Sequence, residues 1–307
     1  IFRVFPPEER GTAMGIYGIG VVLAPAVGPV LGGWLIDNYD WRYVFYMGLP
    51  TSFLGMLLGT IFLPTRLSGG KRRRFESFGF VLLAAFLVTS LYALANGQRE
   101  GWNSDIIVGT GALSLALFLS FIVWLARRAE PLVSLRVFAF RRYSAASLVA
   151  FLYGAGLYGS TYLIPLFLQT VQGYTPTRSG LLLMPAGLVL GLVFPIAGRL
   201  TDRLPAYLLV CAGLFLFGLS NLLLYEIDVD IPFWDMALMV LLGRIGLGVM
   251  MPALNAGALS ALPAELLAQG TGTINFMRQL GGAFGVSLLS AAVEIRFAFH
   301  SAALTAT

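Results

Sequence analysis

Nine long apolar segments constrain this chain more than any other feature of its sequence. Each is bounded by charge, glycine or proline, and each is long enough to cross a bilayer as a helix, which takes about 20 residues. They run approximately over residues 13–36, 44–63, 79–95, 106–126, 145–171, 180–197, 205–224, 233–254 and 273–293. Charged residues make up only 11% of the 307 residues, roughly half the share of a soluble domain. The sequence therefore predicts an all-α membrane protein with nine transmembrane helices.

Basic residues are concentrated in alternate loops, which predicts the orientation of the chain. By the positive-inside rule, this set of loops and the chain start are cytoplasmic. The net charge of +5 is then explained by topology, and we expect no nucleic-acid partner. The run 71–74 has a second interpretation, binding of lipid head groups or a regulator, but a topology anchor is favoured. The cytoplasmic set is Arg3, Arg10, Arg66, Lys71, Arg72, Arg73, Arg74, Arg127, Arg128, Arg136, Arg141, Arg142, Arg199 and Arg203.

Cysteine and histidine are too rare for the chemistry of an embedded enzyme. The chain has one of each, Cys211 and His300, which excludes an internal disulfide and a two-cysteine metal site. An enzyme would show clustered His, Cys or carboxylates at bilayer depth. No Walker A sequence is present, so ATP-driven transport is not supported. We expect no enzymatic activity, no metal and no cofactor.

The first apolar segment combines small residues with proline. Ala24, Gly28 and Gly32 recur every fourth residue, which predicts a helix face where a neighbouring helix approaches to backbone contact. Pro25 and Pro29 remove two amide donors from the helix, so we expect it to bend. Such a bend is tolerated in a membrane only where other helices or water satisfy the freed carbonyl groups.

Polar side chains inside three later segments are candidates for a hydrated interior. Arg244 lies close to mid-membrane in the eighth segment, where a cation costs about 2.5–3.5 kcal/mol unless it faces a polar interior. In the ninth segment, the spacing of three and four residues places three polar groups on one face, which indicates either a cavity wall or an interhelical hydrogen-bond cluster. The candidates are Arg244, Asn275, Arg278, Gln279, Gln169 and Tyr162.

The hexapeptide Gly198-Arg-Leu-Thr-Asp-Arg203 is predicted to form a charged cytoplasmic turn between the sixth and seventh segments. Asp202 lies just before a helix expected to begin near Pro205, so the sequence predicts that it caps this helix. Arg199 and Arg203 are expected to remain at the lipid head groups. A topology anchor with a helix cap and a functional loop are both open interpretations.

Three motifs resemble those of a known family. Gly20 followed by Gly28-Pro29-x-x-Gly32-Gly33 resembles the antiporter motif in the fifth helix of major facilitator drug exporters, most closely the fourteen-span EmrB/QacA type. The hexapeptide at 198–203 resembles the second-half copy of the family's loop motif. Arg244-x-Gly246-x-Gly248 resembles its arginine motif. The resemblance implies a gate and antiporter motif made of Gly20, Pro25, Gly28, Pro29, Gly32 and Gly33, and a loop motif made of Gly198, Arg199, Asp202 and Arg203.

The resemblance also implies a division of the chain within a major facilitator fold. The nine segments correspond to the family's helices five to thirteen of fourteen. Residues 1–64 would then end the N-terminal six-helix half, 65–143 would hold an inserted two-helix hairpin with basic loops, and 144–307 would supply five helices of the C-terminal half. Because the chain begins with Ile1, we expect it to be a fragment lacking four helices in front and one behind.

Proton-coupled antiport is the activity that the resemblance implies. The cargo would be drugs or amphipathic small molecules, moved by alternating access across a bacterial inner membrane and driven by the proton gradient. A periplasmic adaptor protein is implied for some members of the family. Two alternatives stay open from the residues alone: export of a specific metabolite such as a siderophore or lipid precursor, and a membrane scaffold without transport activity.

Overall fold

The computed structural model describes residues 27–62, 76–128 and 135–305, together with Pro6, Ala13 and Gly20. Regular structure in these ranges is helical throughout. Eight of the described helical stretches are long and apolar enough to cross a membrane, so the all-α membrane fold is confirmed. Pro25, the basic run 71–74 and half of the first apolar segment lie outside the described residues.

The helices follow the predicted segments in order. Helix α1 covers described residues 27–38, and short 3-10 helices at Leu135–Ala139 and Ala264–Leu266 precede α6 and α10. The remaining helices are α2 (Arg42–Tyr46), α3 (Gly48–Phe62), α4 (Ser77–Glu100), α5 (Asp105–Arg127), α6 (Arg141–Thr170), α7 (Pro176–Arg203), α8 (Ala206–Tyr225), α9 (Phe233–Ser260) and α10 (Leu267–Thr305).

The observed helices extend past the apolar segments at their polar ends. Helix α6 begins at Arg141 rather than near residue 145, and α7 continues through Arg203 rather than ending near residue 197. A backbone leaving the bilayer keeps its internal hydrogen bonds for another turn because those bonds are made within the segment. Hydrophobicity therefore marks the membrane-embedded part of each helix and not its ends.

The described helices belong to two compact units. The first unit covers residues 1–74 and 165–253 and includes α1–α3, α7, α8 and most of α9. The second covers residues 75–164 and 254–307 and includes α4, α5, most of α6, and α10. The predicted division of the chain at residues 64 and 143 remains a prediction.

Helices α4 and α5 form an antiparallel hairpin in the second unit, and α4 packs on α10. The ring of Phe86 in α4 lies 5.0 Å from that of Phe118 in α5 and 6.4 Å from that of Phe284 in α10. At the turn, Gly97 contacts the indole of Trp102 so closely that no side chain would fit there. Aromatic packing thus holds the hairpin against α10.

Polar contacts among Glu76, Trp124 and Arg128, here called the clasp, join α4 and α5 at the other end of this hairpin. The indole N–H of Trp124 donates to Oε1 of Glu76 at 2.8 Å, and Nε of Arg128 lies 3.5 Å from the same oxygen. The Arg128 guanidinium also lies 4.1 Å above the Trp124 ring. Because the Glu76 side chain is only 17% exposed, its carboxylate depends on these partners.

Replacing Trp124 with phenylalanine should destabilise the hairpin by about 1–2 kcal/mol, because a largely buried carboxylate oxygen loses its indole donor. The measurement is the midpoint of thermal unfolding of the complete purified protein in detergent. Trp234→Phe is the matched control, since Trp234 is 66% exposed. Equal midpoints for the two variants would contradict a stabilising clasp.

Candidate functional site

The gate motif on α1 contacts the first turn of α7. A Cβ atom on Gly33 would overlap the carbonyl group of Pro176, and a Cβ on Gly180 would overlap that of Pro29. The two helices therefore meet through their backbones, which only glycine permits at both positions. The contact lies within the first unit.

This contact uses a different stripe of α1 from the predicted one. A Cβ on Gly28 or Gly32 would meet no described atom within 4 Å beyond its own helix, and Gly20 is likewise open among the described residues. The stripe that meets α7 is Pro29 and Gly33, one residue further along. Two parallel stripes of small residues are adjacent here, and their spacing alone does not reveal which faces α7.

Asp37 extends the contact beyond the glycine pair. Its Oδ2 accepts a hydrogen bond from the backbone N–H of Thr177 at 2.8 Å, in the first turn of α7. Hydrogen bonding from Thr177 lowers the pKa of the Asp37 carboxyl below its ordinary value of 3.8. The group is therefore charged at neutral pH, and the contact weakens only as the pH falls through that lowered pKa.

Glycines on α9 position Arg244. Gly243 and Gly246 contact α8, at Ser220 and Gly213, and the Ser220 hydroxyl donates to the carbonyl of Met239 at 2.7 Å. Gly248 contacts Leu190 and Val193 of α7.

Arg244 lies four residues before Gly248 and is half-buried. Residues four apart share a helix face, so Arg244 is on the side of α9 that faces α7.

The loop motif is helical. The prediction that Asp202 lies in a turn and caps the next helix is wrong: α7 continues through Arg203, and Pro205 occupies the N-cap of α8 without a side-chain capping bond. Leu204, the residue before proline, is extended, and this conformation ends α7. Along the last turns, Arg199 and Arg203 are exposed, Gly198 is buried and Asp202 is half-buried.

In the second unit, α6 and α10 meet through a seam of glycines. A Cβ on Gly154 would overlap the carbonyl of Arg278, and one on Gly281 would overlap that of Phe151. Further along, Gly282 contacts the Tyr158 ring and Gly285 contacts Ala155. We name this contact the α6–α10 seam; it sets the register of the polar residues on α10.

Two of the three polar residues predicted on α10, Asn275 and Arg278, contact each other. Nη2 of Arg278 donates to Oδ1 of Asn275 at 3.0 Å, and both Asn275 and Gln279 are exposed. Tyr162 on α6 shares a hydrogen bond of 3.3 Å with Ser290 on α10. Gln169, also exposed, lies at the end of α6 in the first unit. The roles of these residues in transport stay predictions.

Several contacts join residues that are far apart in the sequence and could not be predicted from it. The buried Tyr143 hydroxyl donates to the carbonyl of Gly270 at 2.7 Å, joining the starts of α6 and α10. Nε2 of Gln172 donates to the carbonyls of Val229 and Ile231 at 3.0 and 3.2 Å, joining two loops. The partners lie 57 to 127 residues apart, so no local pattern predicts them. Within the described residues, no group of three or more His, Cys, Asp or Glu could hold a metal ion.

Gly154→Ala should lower the stability of the folded protein by about 1–3 kcal/mol, because the added methyl group forces α6 and α10 apart. The measurements are the yield of monodisperse protein on size exclusion and the thermal unfolding midpoint. Gly191→Ala in α7 is the control, since a Cβ there would meet no described atom within 4 Å. If Gly154→Ala were as stable as this control, the seam would not be a close contact.

Comparisons with known proteins agree with this architecture. Residues 1–286 match the family model described as the Major Facilitator Superfamily. The chain is 31% identical over 98% of its length to the uncharacterized MFS-type transporter YhcA of Bacillus subtilis. It is 32% identical over 98% to the multidrug resistance protein B homolog of Mycobacterium tuberculosis, and 30% identical over 98% to the multidrug export protein EmrB of Haemophilus influenzae.

The aligned region spans 56–59% of the length of these relatives. The family match covers nearly the whole chain, and the described helices have the length and apolar character that a membrane-embedded bundle requires. The chain therefore belongs to the Major Facilitator Superfamily and is a multi-pass membrane protein chain.

Proposed function

We propose that the complete protein exports drugs or amphipathic small molecules in exchange for protons, by alternating access. The observation that carries the proposal is the backbone contact between α1 and α7. On the predicted division, α1 belongs to the first half and α7 to the second, so this contact joins the two halves at one end. A transporter of this kind must make and break such a contact in each cycle.

Arg244 is the second support for the proposal. It is the twelfth residue of α9, roughly 17 Å along the helix at about 1.5 Å per residue, and hence near the middle of a hydrocarbon core about 30 Å thick. A cation at this depth is costly against lipid and marks a functional interior by default. Its position on the α7-facing side of α9 is the one such a role requires.

Loop charge and the names of the relatives complete the proposal. The basic ends of α6 and α7 belong on the cytoplasmic side of a bacterial inner membrane, so the α1–α7 contact faces the periplasm. Relatives named for multidrug resistance and multidrug export indicate the class of cargo. The proton gradient supplies the energy without a cofactor, and a periplasmic adaptor is a proposed partner in double-membraned bacteria.

The experiment is efflux by the complete protein in inside-out vesicles, with ethidium as the probe. We expect energisation to drive ethidium accumulation and a protonophore to abolish it. Arg244→Ala should lower the accumulation rate about 10- to 100-fold, because a charged contact at bilayer depth is lost. Arg99→Ala is the matched control, since Arg99 is exposed in the last turn of α4.

Each result discriminates between the candidate functions. Efflux that continues at the same rate in the presence of the protonophore would refute proton coupling. Absence of efflux for ethidium and for neutral lipophilic drugs would favour a specific metabolite such as a siderophore or lipid precursor. Full activity of Arg244→Ala, at unchanged protein level, would remove Arg244 from the mechanism.

A further inference from the structure

The first turn of α7 is not capped by its own residues alone. Pro176, at the start of the helix, has no N–H to satisfy. The N–H of Arg178 donates to the Thr175 hydroxyl at 3.3 Å, and that of Ser179 donates to the Thr175 carbonyl at 3.0 Å. The remaining donor, the N–H of Thr177, donates to the Asp37 carboxylate at 2.8 Å. The cap of this helix is therefore completed by α1.

We propose that Asp37 is a releasable latch, whose carboxylate holds the N-terminus of α7 against α1 while the outer side is closed and detaches when that side opens. This inference rests on the proposed alternating access. Asp37 is four residues beyond Gly33, so the latch lies one helical turn outside the backbone contact. Separation of α1 from α7 at this end breaks both contacts together.

The charged residues near Asp37 contact other groups, and Asp37 itself contacts the N-terminus of α7. The Arg178 guanidinium lies 3.9 Å above the Tyr174 ring, and Asp40 pairs at 3.1 Å with Arg42 at the start of α2. A carboxylate at a helix N-terminus gains both a hydrogen bond and a favourable interaction with the helix dipole. Since Asp37 is exposed, water can replace the contact on release, which keeps it reversible.

The strength of a cap sets the size of the expected effect. Loss of a capping side chain changes a conformational equilibrium by about 2- to 30-fold. A change of this size shifts the ratio of open to closed states without locking the protein in either state. Because the carboxylate stays charged at neutral pH, release follows helix movement and not titration.

The test is the distance between spin labels in the complete protein, measured by double electron–electron resonance. Labels are placed at Leu31→Cys in α1 and Leu222→Cys in α8, both exposed, in a Cys211→Ser background. We expect Asp37→Ala to raise the ratio of long to short distances about 2- to 30-fold. Asp37→Asn should change it much less, since asparagine caps helices almost as well as aspartate.

Asp40→Ala is the matched control, because Asp40 lies three residues beyond Asp37 and pairs with Arg42. An unchanged ratio in Asp37→Ala overturns the latch, as does an equal shift in Asp40→Ala. So does a lowered unfolding midpoint with no change in distances, which would make Asp37 a static structural residue. Ethidium efflux measured in parallel separates the two proposals. A shifted ratio without ethidium efflux supports the latch and refutes drug export, whereas ethidium efflux with an unchanged ratio refutes only the latch.

Discussion

Contact between helix backbones is the interaction on which the described structure depends. In a bilayer, apolar side chains gain little by leaving lipid, so helices associate where small residues let their backbones pack. Gly33 and Gly180 do this between α1 and α7, Gly213 and Gly246 between α8 and α9, and Gly154 on the α6–α10 seam. Arg244 on α9 and Arg278 on α10 lie on helices whose positions these contacts fix.

Three polar groups within the apolar helices are held by specific partners. The Ser220 hydroxyl, the Tyr143 hydroxyl and the Trp124 indole each donate to an oxygen on another helix or at its end. An unsatisfied donor in hydrocarbon costs several kcal/mol, so each of these bonds removes a large penalty for keeping a polar group there. Arg244 is subject to the same requirement at a higher cost, since it carries a full charge.

Most of the fold was predictable from the sequence because bilayer thickness dictates the length of each apolar segment. The helix ends were not, since α7 keeps its hydrogen bonds through Asp202 to the residue before Pro205. For the site, the pattern revealed the small residues of α1 but not which stripe meets α7. Asp37 escaped prediction because its partner, Thr177, is 140 residues away and contributes a backbone N–H that no residue type signals.

The α6–α10 seam restricts how these helices can move. Carbonyl groups and rings occupy the notches left by Gly154, Gly281 and Gly282, so sliding one helix by a turn of about 5.4 Å would drive ordinary side chains into backbone. Shear between the pair is thereby blocked, while tilting of both together is not. Arg278 and Tyr162 are consequently carried on a single rigid body, and any change in their surroundings must come from helices outside the pair.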